Sequence, residues 1–236
     1  ILMTELKVVL LTTIFPMKEY LLFDFFNSLD KQTYIEFDIV VVNDDYKNFQ
    51  NIKNRYRNLS IIELPYSNTL AKNREYGINY CIDNKYDILI FGDSDDYFSE
   101  NRVARTIKLL SRCEILVNDL TTFDNTGVIQ SKYISNRVEN NSIIDYNYIR
   151  DKNIFGMTNT AINLSILDRV NFDSMLIAVD WFMFKKLLKF GYKAIFTNEI
   201  ISFYRQHSNN TIGLLNIDEK YSLWWEVEQL ELDGKK

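Results

Sequence analysis

Proline and glycine are scarce in this chain of 236 residues, with two Pro and seven Gly. So few breakers exclude a polyproline segment and any flexible linker. They also leave no material for the Gly-rich phosphate loops of dinucleotide-binding and P-loop proteins. Two cysteines, Cys81 and Cys113, are too few for a disulfide framework and stand in no metal-ligand spacing, which fits a reducing compartment. Long apolar runs are missing as well. No stretch reaches the roughly 18 residues of a membrane span and no signal-peptide pattern opens the chain. The expected location is the cytoplasm, with peripheral docking on the inner face of a membrane left open. A basic excess is also absent. The net charge of −5 argues against nucleic acid as a partner, which calls for a basic face. A phosphate ligand stays compatible, because local Arg, Lys or metal overrides the global sign.

What is present is the composition of a folded chain, since 47% of residues are hydrophobic and 25% charged. The length suffices for one large domain with a real core, or for two small ones. The organising stretch is YDILIFGDSDD, Tyr86 to Asp96. Ile88 to Phe91 form an unbroken apolar run, as in a strand covered on both faces of a largely parallel sheet. After Gly92 come Asp93, Asp95 and Asp96, which repel one another unless a cation or solvent screens them. Ligands of open α/β sheets bind beyond the carboxyl ends of the strands. Acids there suit a divalent metal bridging protein to phosphate. The bland alternative is a solvated strand-to-helix turn capped by Asp.

Taken in order, the pattern predicts strands at Lys7 to Thr12, Phe37 to Val42 and Ser60 to Leu64. Helices are expected at about Lys18 to Gln32, Phe49 to Tyr56 and Thr69 to Cys81, the last with Gly77 as an interior weak point. Ser99 reads as the cap of a further helix running to about Ser111. This alternation predicts a parallel sheet with right-handed crossovers. Beyond Glu114 the character changes. A strand at Glu114 to Asn118 precedes a hairpin turn near Asp124, Asn125 and Gly127. Asn136 to Lys152 reads as a flexible loop. Trp181 to Phe190 reads as a helix ended by Gly191, followed by short strands at Lys193 to Thr197 and Ile200 to Tyr204. Asp218 to Leu232, with Trp224 and Trp225, suggests a terminal helix. With no repeat and no linker, residues 1–236 read as a single domain. Its halves are about 4–113 and 114–213, with a C-terminal helix over 214–236.

Asp44 after the second strand, Arg74 in the next helix, the Asp93 to Asp96 cluster, Asp180 opening a late helix, and YRQH at Tyr204 to His207 stand in a telling order. Together with NSLDKQTY, FDIVVVND and VDWFMFKKLLKFGYKAIF, this order resembles glycosyltransferase family 2 from about Leu6 to Gly213. These are the inverting nucleotide-sugar transferases of the GT-A fold. The resemblance implies a Rossmann-like, mostly parallel central sheet flanked by helices, with a smaller mixed acceptor-side sheet. It places Thr12, Asp44, Arg74, Asp93 and Ser94 on the nucleotide-sugar side. Asp95 and His207 become ligands of Mn²⁺ or Mg²⁺, and Asp180 the base that deprotonates an acceptor hydroxyl. The implied partners are a nucleoside-diphosphate sugar, UDP-linked by expectation, and a glycan or lipid-linked saccharide acceptor in bacterial surface-polysaccharide assembly. Departures from the family pattern leave the donor open: Asn43-Asp44-Asp45-Tyr46 after the second strand, Glu75 after the arginine, and Val179 before the base. The rivals are a sugar nucleotidyltransferase, which would need a Gly-rich loop after the first strand, and a catalytically silent glycan- or nucleotide-binding module. For Asp180 the bland reading is a carboxylate at a helix N-terminus. For His207 it is a surface residue.

Overall fold

A computed structural model describes residues 6–206 and 226–228. Four apolar strands run parallel in the order β3-β2-β1-β4: β1 (Val8–Ile14), β2 (Asp38–Asn43), β3 (Ser60–Pro65) and β4 (Ile88–Phe91). They are connected by α1 (Glu19–Asp30), α2 (Phe49–Arg55) and α3 (Leu70–Asp83). The mainly apolar character of β1, β2 and β4 has a physical cause, because side chains two apart share a face and both faces are covered, whereas β3 (SIIELP) is a part-exposed edge strand. Val9, Leu11, Val42, Leu89 and Phe91 pack with Ala71, Ile78 and Cys81 of α3. Val8, Leu10, Val41, Ile88 and Ile90 pack on the opposite side with Leu22, Phe25 and Phe26 of α1 and with Phe49 and Ile52 of α2. Each such fully buried side chain contributes about 1.5–3 kcal/mol of transfer free energy.

Gly77 is a point of close approach and not a weak spot. A Cβ there would lie 2.6 Å from Leu11 Cδ1 and 2.9 Å from Val42 Cγ2, so α3 lies directly on β1 and β2. Thr69 begins that helix, its hydroxyl accepting from the Lys72 N–H at 3.4 Å.

Beyond β4 the same sheet continues with mixed directions. The elements in chain order are β5 (Tyr97–Phe98), α4 (Arg102–Leu110), β6 (Ile115–Asp124), β7 (Gly127–Gln130), β8 (Ile143–Ile144), α5 (Tyr146–Ile149), β9 (Thr160–Asn163), α6 (Val179–Lys189) and β10 (Ala194–Arg205). β9 lies antiparallel between β4 and β6, β10 runs parallel to β6, and β5 and β8 pair antiparallel with β10. The mixed strands therefore extend the parallel ones as one ten-stranded sheet. The expected hairpin is present. Thr126 N–H donates to Asp124 Oδ1 at 2.7 Å, and Gly127 takes a φ of 129°. Gly191, with φ 91°, ends α6.

Three local expectations are corrected. Ser99 does not cap α4: Asn101 occupies that position, while the Ser99 hydroxyl donates to Asn101 Oδ1 and accepts from the Ile201 N–H. The two short strands near the end are one strand, β10, with a register shift between Thr197 and Ile201. The stretch 136–152 is anchored, not a flexible loop. It contains β8 and α5, buries Val138, Ile144 and Ile149, and exchanges backbone bonds with Phe196 through Asn141 and Ser142. Its asparagines serve turn geometry, Asn141 having a φ of 64°. Of the expected terminal helix, residues 226–228 are helical. Trp224 and Trp225 lie outside the described residues.

Candidate functional site

The acidic turn leaves β4 at Gly92, whose N–H donates to Leu11 O at 3.0 Å. Ser94 is buried and its hydroxyl donates to Thr13 O at 2.8 Å, which pins the turn to the end of β1. The acids then divide. Asp96 points inward, 0% exposed, and accepts from the Arg205 N–H at 2.7 Å. Burial raises its pKa well above the ordinary carboxylate range, helped by the charges of Asp95 and Asp93. Asp93 and Asp95 face outward into a cavity. Arg205 holds the turn from behind: its Nε donates to Asp95 O at 2.8 Å and its Nη2 to Asp24 Oδ2 at 2.6 Å. Beneath the turn lies Arg102, 1% exposed, donating to Phe91 O with its guanidinium 4.0 Å from the Phe98 ring centre. Burial lowers its pKa to about 9 against the opposing charges of Asp96 and Asp93, so it stays cationic at neutral pH.

The cavity, about 840 Å³, brings together Thr12, Arg74, Asp93, Ser94, Asp95 and Asp180, residues scattered over most of the chain. Asp93 keeps 34% of its side-chain surface open, and Arg74 Nη2 stands 3.6 Å from its Oδ1. Burial pushes Asp93 up to about 6, Arg74 pulls it back, and Asp95 and Asp180 push it further. Asp180, in the first turn of α6, accepts from the Trp181 N–H at 2.8 Å. Burial raises its pKa too, opposed first by Arg74 and then by backbone N–H groups. Arg74 is thus the cation that both carboxylates feel. Asp93 and Asp95 offer oxygen donors suited to Mg²⁺ or Mn²⁺. Among the described residues no group of three or more His, Cys, Asp and Glu gathers as a closed metal cage. A cation here would take its remaining oxygens from ligand phosphates and water, the usual mode for Mg²⁺.

One expected residue stands apart. Asp44, at the carboxyl end of β2, is held by the Ser67 hydroxyl and by Asn73 Nδ2 at 2.8 Å, and does not line the cavity. His207 lies outside the described residues. Thr12 lines the cavity with only 2% exposure, and its buried hydroxyl has no hydrogen-bond partner among the described residues.

The opposite wall was not anticipated. Asp119, fully buried in β6, accepts from the N–H groups of Leu120 and Ile134 at 2.9 Å, from Ser135 N–H at 3.2 Å, and from the Ser135 hydroxyl. It thereby places Tyr133 and Arg137 on the cavity, the guanidinium 5.0 Å from the tyrosine ring centre. Asn159, equally buried, donates to Asn118 O at 2.9 Å and Ile154 O at 3.1 Å and accepts from Gly156 N–H at 2.8 Å. It shapes the segment whose Lys152 lies over the Tyr148 ring at 4.4 Å. The available signal was a polar pair, Asn118-Asp119, interrupting an apolar strand. Trp181 is core, 8% exposed, its Nε1 donating to Ile149 O at 2.9 Å.

Comparison with known proteins identifies the family and the fold. The family described as Glycosyl transferase family 2 matches residues 18–170, more than half of the chain. Similar folds include S. aureus TarS 1-349 in complex with UDP-GlcNAc, at TM-score 0.70 and 17% identity, covering 95% of this chain and 65% of that one. The mannosyltransferase PcManGT from Pyrobaculum calidifontis, in complex with GDP-Man and Mn²⁺, aligns at TM-score 0.63 and 14% identity, covering 89% of this chain and 59% of that one. The chain thus spans under two thirds of the length of these structures. No curated protein matches. No helix among the described residues is long and apolar enough to cross a membrane.

Proposed function

Because the chain belongs to glycosyltransferase family 2, we propose that it moves a sugar from a nucleoside-diphosphate sugar to an acceptor hydroxyl with inversion at the anomeric carbon. One observation carries this reading: Asp180 and the outward acids Asp93 and Asp95, distant in sequence, line one cavity with Arg74 between them in charge. Asp93 and Asp95 would hold a divalent cation beside the donor diphosphate. When bound, that cation supplies Lewis-acid neutralisation of charge on the departing nucleoside diphosphate. Arg74 and Thr12 contact the donor, and Ser94 keeps the acidic turn against β1. Asp44 acts at one remove by holding Asn73, the neighbour of Arg74, in place.

In transfer, the acceptor oxygen bonds to the anomeric carbon and the bond to the diphosphate breaks with its electron pair leaving on the diphosphate. The acceptor proton passes to Asp180. The raised pKa of Asp180 makes it a stronger base than a solvated carboxylate, while Arg74 favours its ionised form. The wall bearing Tyr133, Arg137, Tyr148 and Lys152 receives the acceptor. UDP-linked donors are the leading candidates, supported by the likeness to the UDP-GlcNAc-bound TarS fold, and a bacterial surface polysaccharide is the destination proposed from the family resemblance alone.

The test pairs Asp95→Asn with Asp180→Asn across UDP-, GDP- and dTDP-sugars, with and without Mn²⁺. Both variants should lose transfer by about 10³-fold, for Asp180→Asn within the roughly 10²–10⁴-fold usual for one positioned proton acceptor. Only Asp95→Asn should weaken nucleotide binding. Metal-dependent nucleotide binding by the wild-type protein with no turnover on any acceptor would favour the silent binding module instead.

A further inference from the structure

The start of α6 has no side-chain cap of its own: Ala178 occupies the N-cap position at φ −84° and ψ 56°. Its exposed donors are met from far along the chain. Glu226 Oε1 accepts from the Ile177 N–H at 3.1 Å, and Oε2 from the Ala178 N–H at 3.2 Å. Two further contacts fix the same short segment to the same helix. Val227 is 0% exposed and belongs to the core cluster that holds Val179 and Phe184. Glu228 forms an ion pair with Lys185, whose side chain is 0% exposed. A lysine so buried is strongly unfavourable unless anions accompany it, so the Glu228 carboxylate adds to what holds residues 226–228 against α6.

From these contacts we propose that Glu226 is a positioning residue for Asp180. This rests on the reading of Asp180 as the base. Ile177 and Ala178 themselves line the cavity, and Asp180 follows two residues after the capped N–H of Ala178. A carboxylate bridging two consecutive backbone donors fixes the direction in which α6 starts, and with it the reach of Asp180. Proton transfer demands hydrogen-bond distance between base and hydroxyl, so a small rotation of this turn separates them. Glu228 and Val227 hold the segment in place, while Glu226 transmits that placement.

The test compares Glu226→Ala, Glu226→Gln, Glu228→Gln and Asp180→Asn in the full chain. It measures steady-state transfer from UDP-GlcNAc, UDP binding by calorimetry and thermal unfolding, with kcat expressed per UDP-binding site. Glu226→Ala should lower kcat about 10- to 100-fold, the scale of a misplaced catalytic group. Its donor KM and UDP affinity should stay within about twofold of wild type, a split that general loss of structure does not produce. Should Glu226→Ala fail to fold, Glu226→Gln keeps the volume and one accepting oxygen, and its smaller fall in kcat reads the same effect. Glu228→Gln should lower the unfolding temperature most, through Lys185. If Asp180→Asn loses transfer while both Glu226 variants turn over like wild type, the positioning role is wrong and the base stands. If Asp180→Asn keeps wild-type kcat, the base reading itself fails.

Discussion

Residues 7–98 and 114–206 build opposite walls of one cavity by different physical means. In the first region, parallel strands β1 to β4 end in a row, and the ends of β1 and β4 bring Thr12, Asp93 and Asp95 to the cavity, joined by Arg74 from α3. Its helices lie on both faces through ordinary apolar packing. In the second region the wall is a set of loops, and buried polar side chains hold them. Asp119 secures the segment around Ile134, and Asn159 the segment from Ile154 to Gly156. The contrast teaches where each wall is vulnerable. The first spreads its stability over many apolar contacts, whereas the second concentrates it in a few hydrogen-bonded carbonyl and carboxylate oxygens, each costly to lose when buried.

The sharpest way to break this comparison is Asp119→Ala. It strips acceptors from three buried or part-buried N–H groups and one hydroxyl. The expected loss is about 3 kcal/mol or more by urea unfolding. In protein that remains folded, acceptor KM should rise while nucleotide affinity holds. A change under 1 kcal/mol would show that the second wall is held otherwise. Next comes Gly77→Ala in the first region. The added methyl meets Leu11 and Val42, and overpacking of about 1–3 kcal/mol should outweigh the roughly 1 kcal/mol gained in helix propensity. A stabilised variant, measured the same way, would mean that α3 can lift from the sheet at no cost. Thr69→Ala should lose about 1 kcal/mol or less, given a cap bond of 3.4 Å. Smallest is the behaviour of the thiols. Burial pushes Cys81 far above the ordinary thiol range, and burial with the Glu114 charge pushes Cys113 up to about 11. Below those values the thiolate is scarce, so iodoacetamide at pH 8 should label native protein slowly at both and unfolded protein quickly. Faster labelling of Cys113 than of Cys81 would mark the junction between the regions as the looser place.

The same division explains what could be read from residues alone. Strands β1 to β4 and their helices follow from apolar periodicity, and the cluster at Asp93 and Asp95 from its position after a buried run. Asp180 was reached through order along the chain, and folding brings it to the expected cavity. Asp119, Asn159 and Arg102 were illegible because a polar residue's burial depends on partners remote in sequence. Asn-rich composition in 136–152 suggested mobility, yet backbone pairing with Phe196 and three buried aliphatics outweigh it. The unity of β10 was hidden by its register shift at Thr197, which imitates a turn in the pattern.

Arg102 has one more consequence. A guanidinium sealed beneath the acidic turn is a permanent internal counter-ion, neither gained nor lost with ligand. The floor of the cavity therefore carries a share of its charge balance within the chain itself. If the chain transfers sugars as proposed, each incoming donor meets an acidic turn whose counter-charge is already in place.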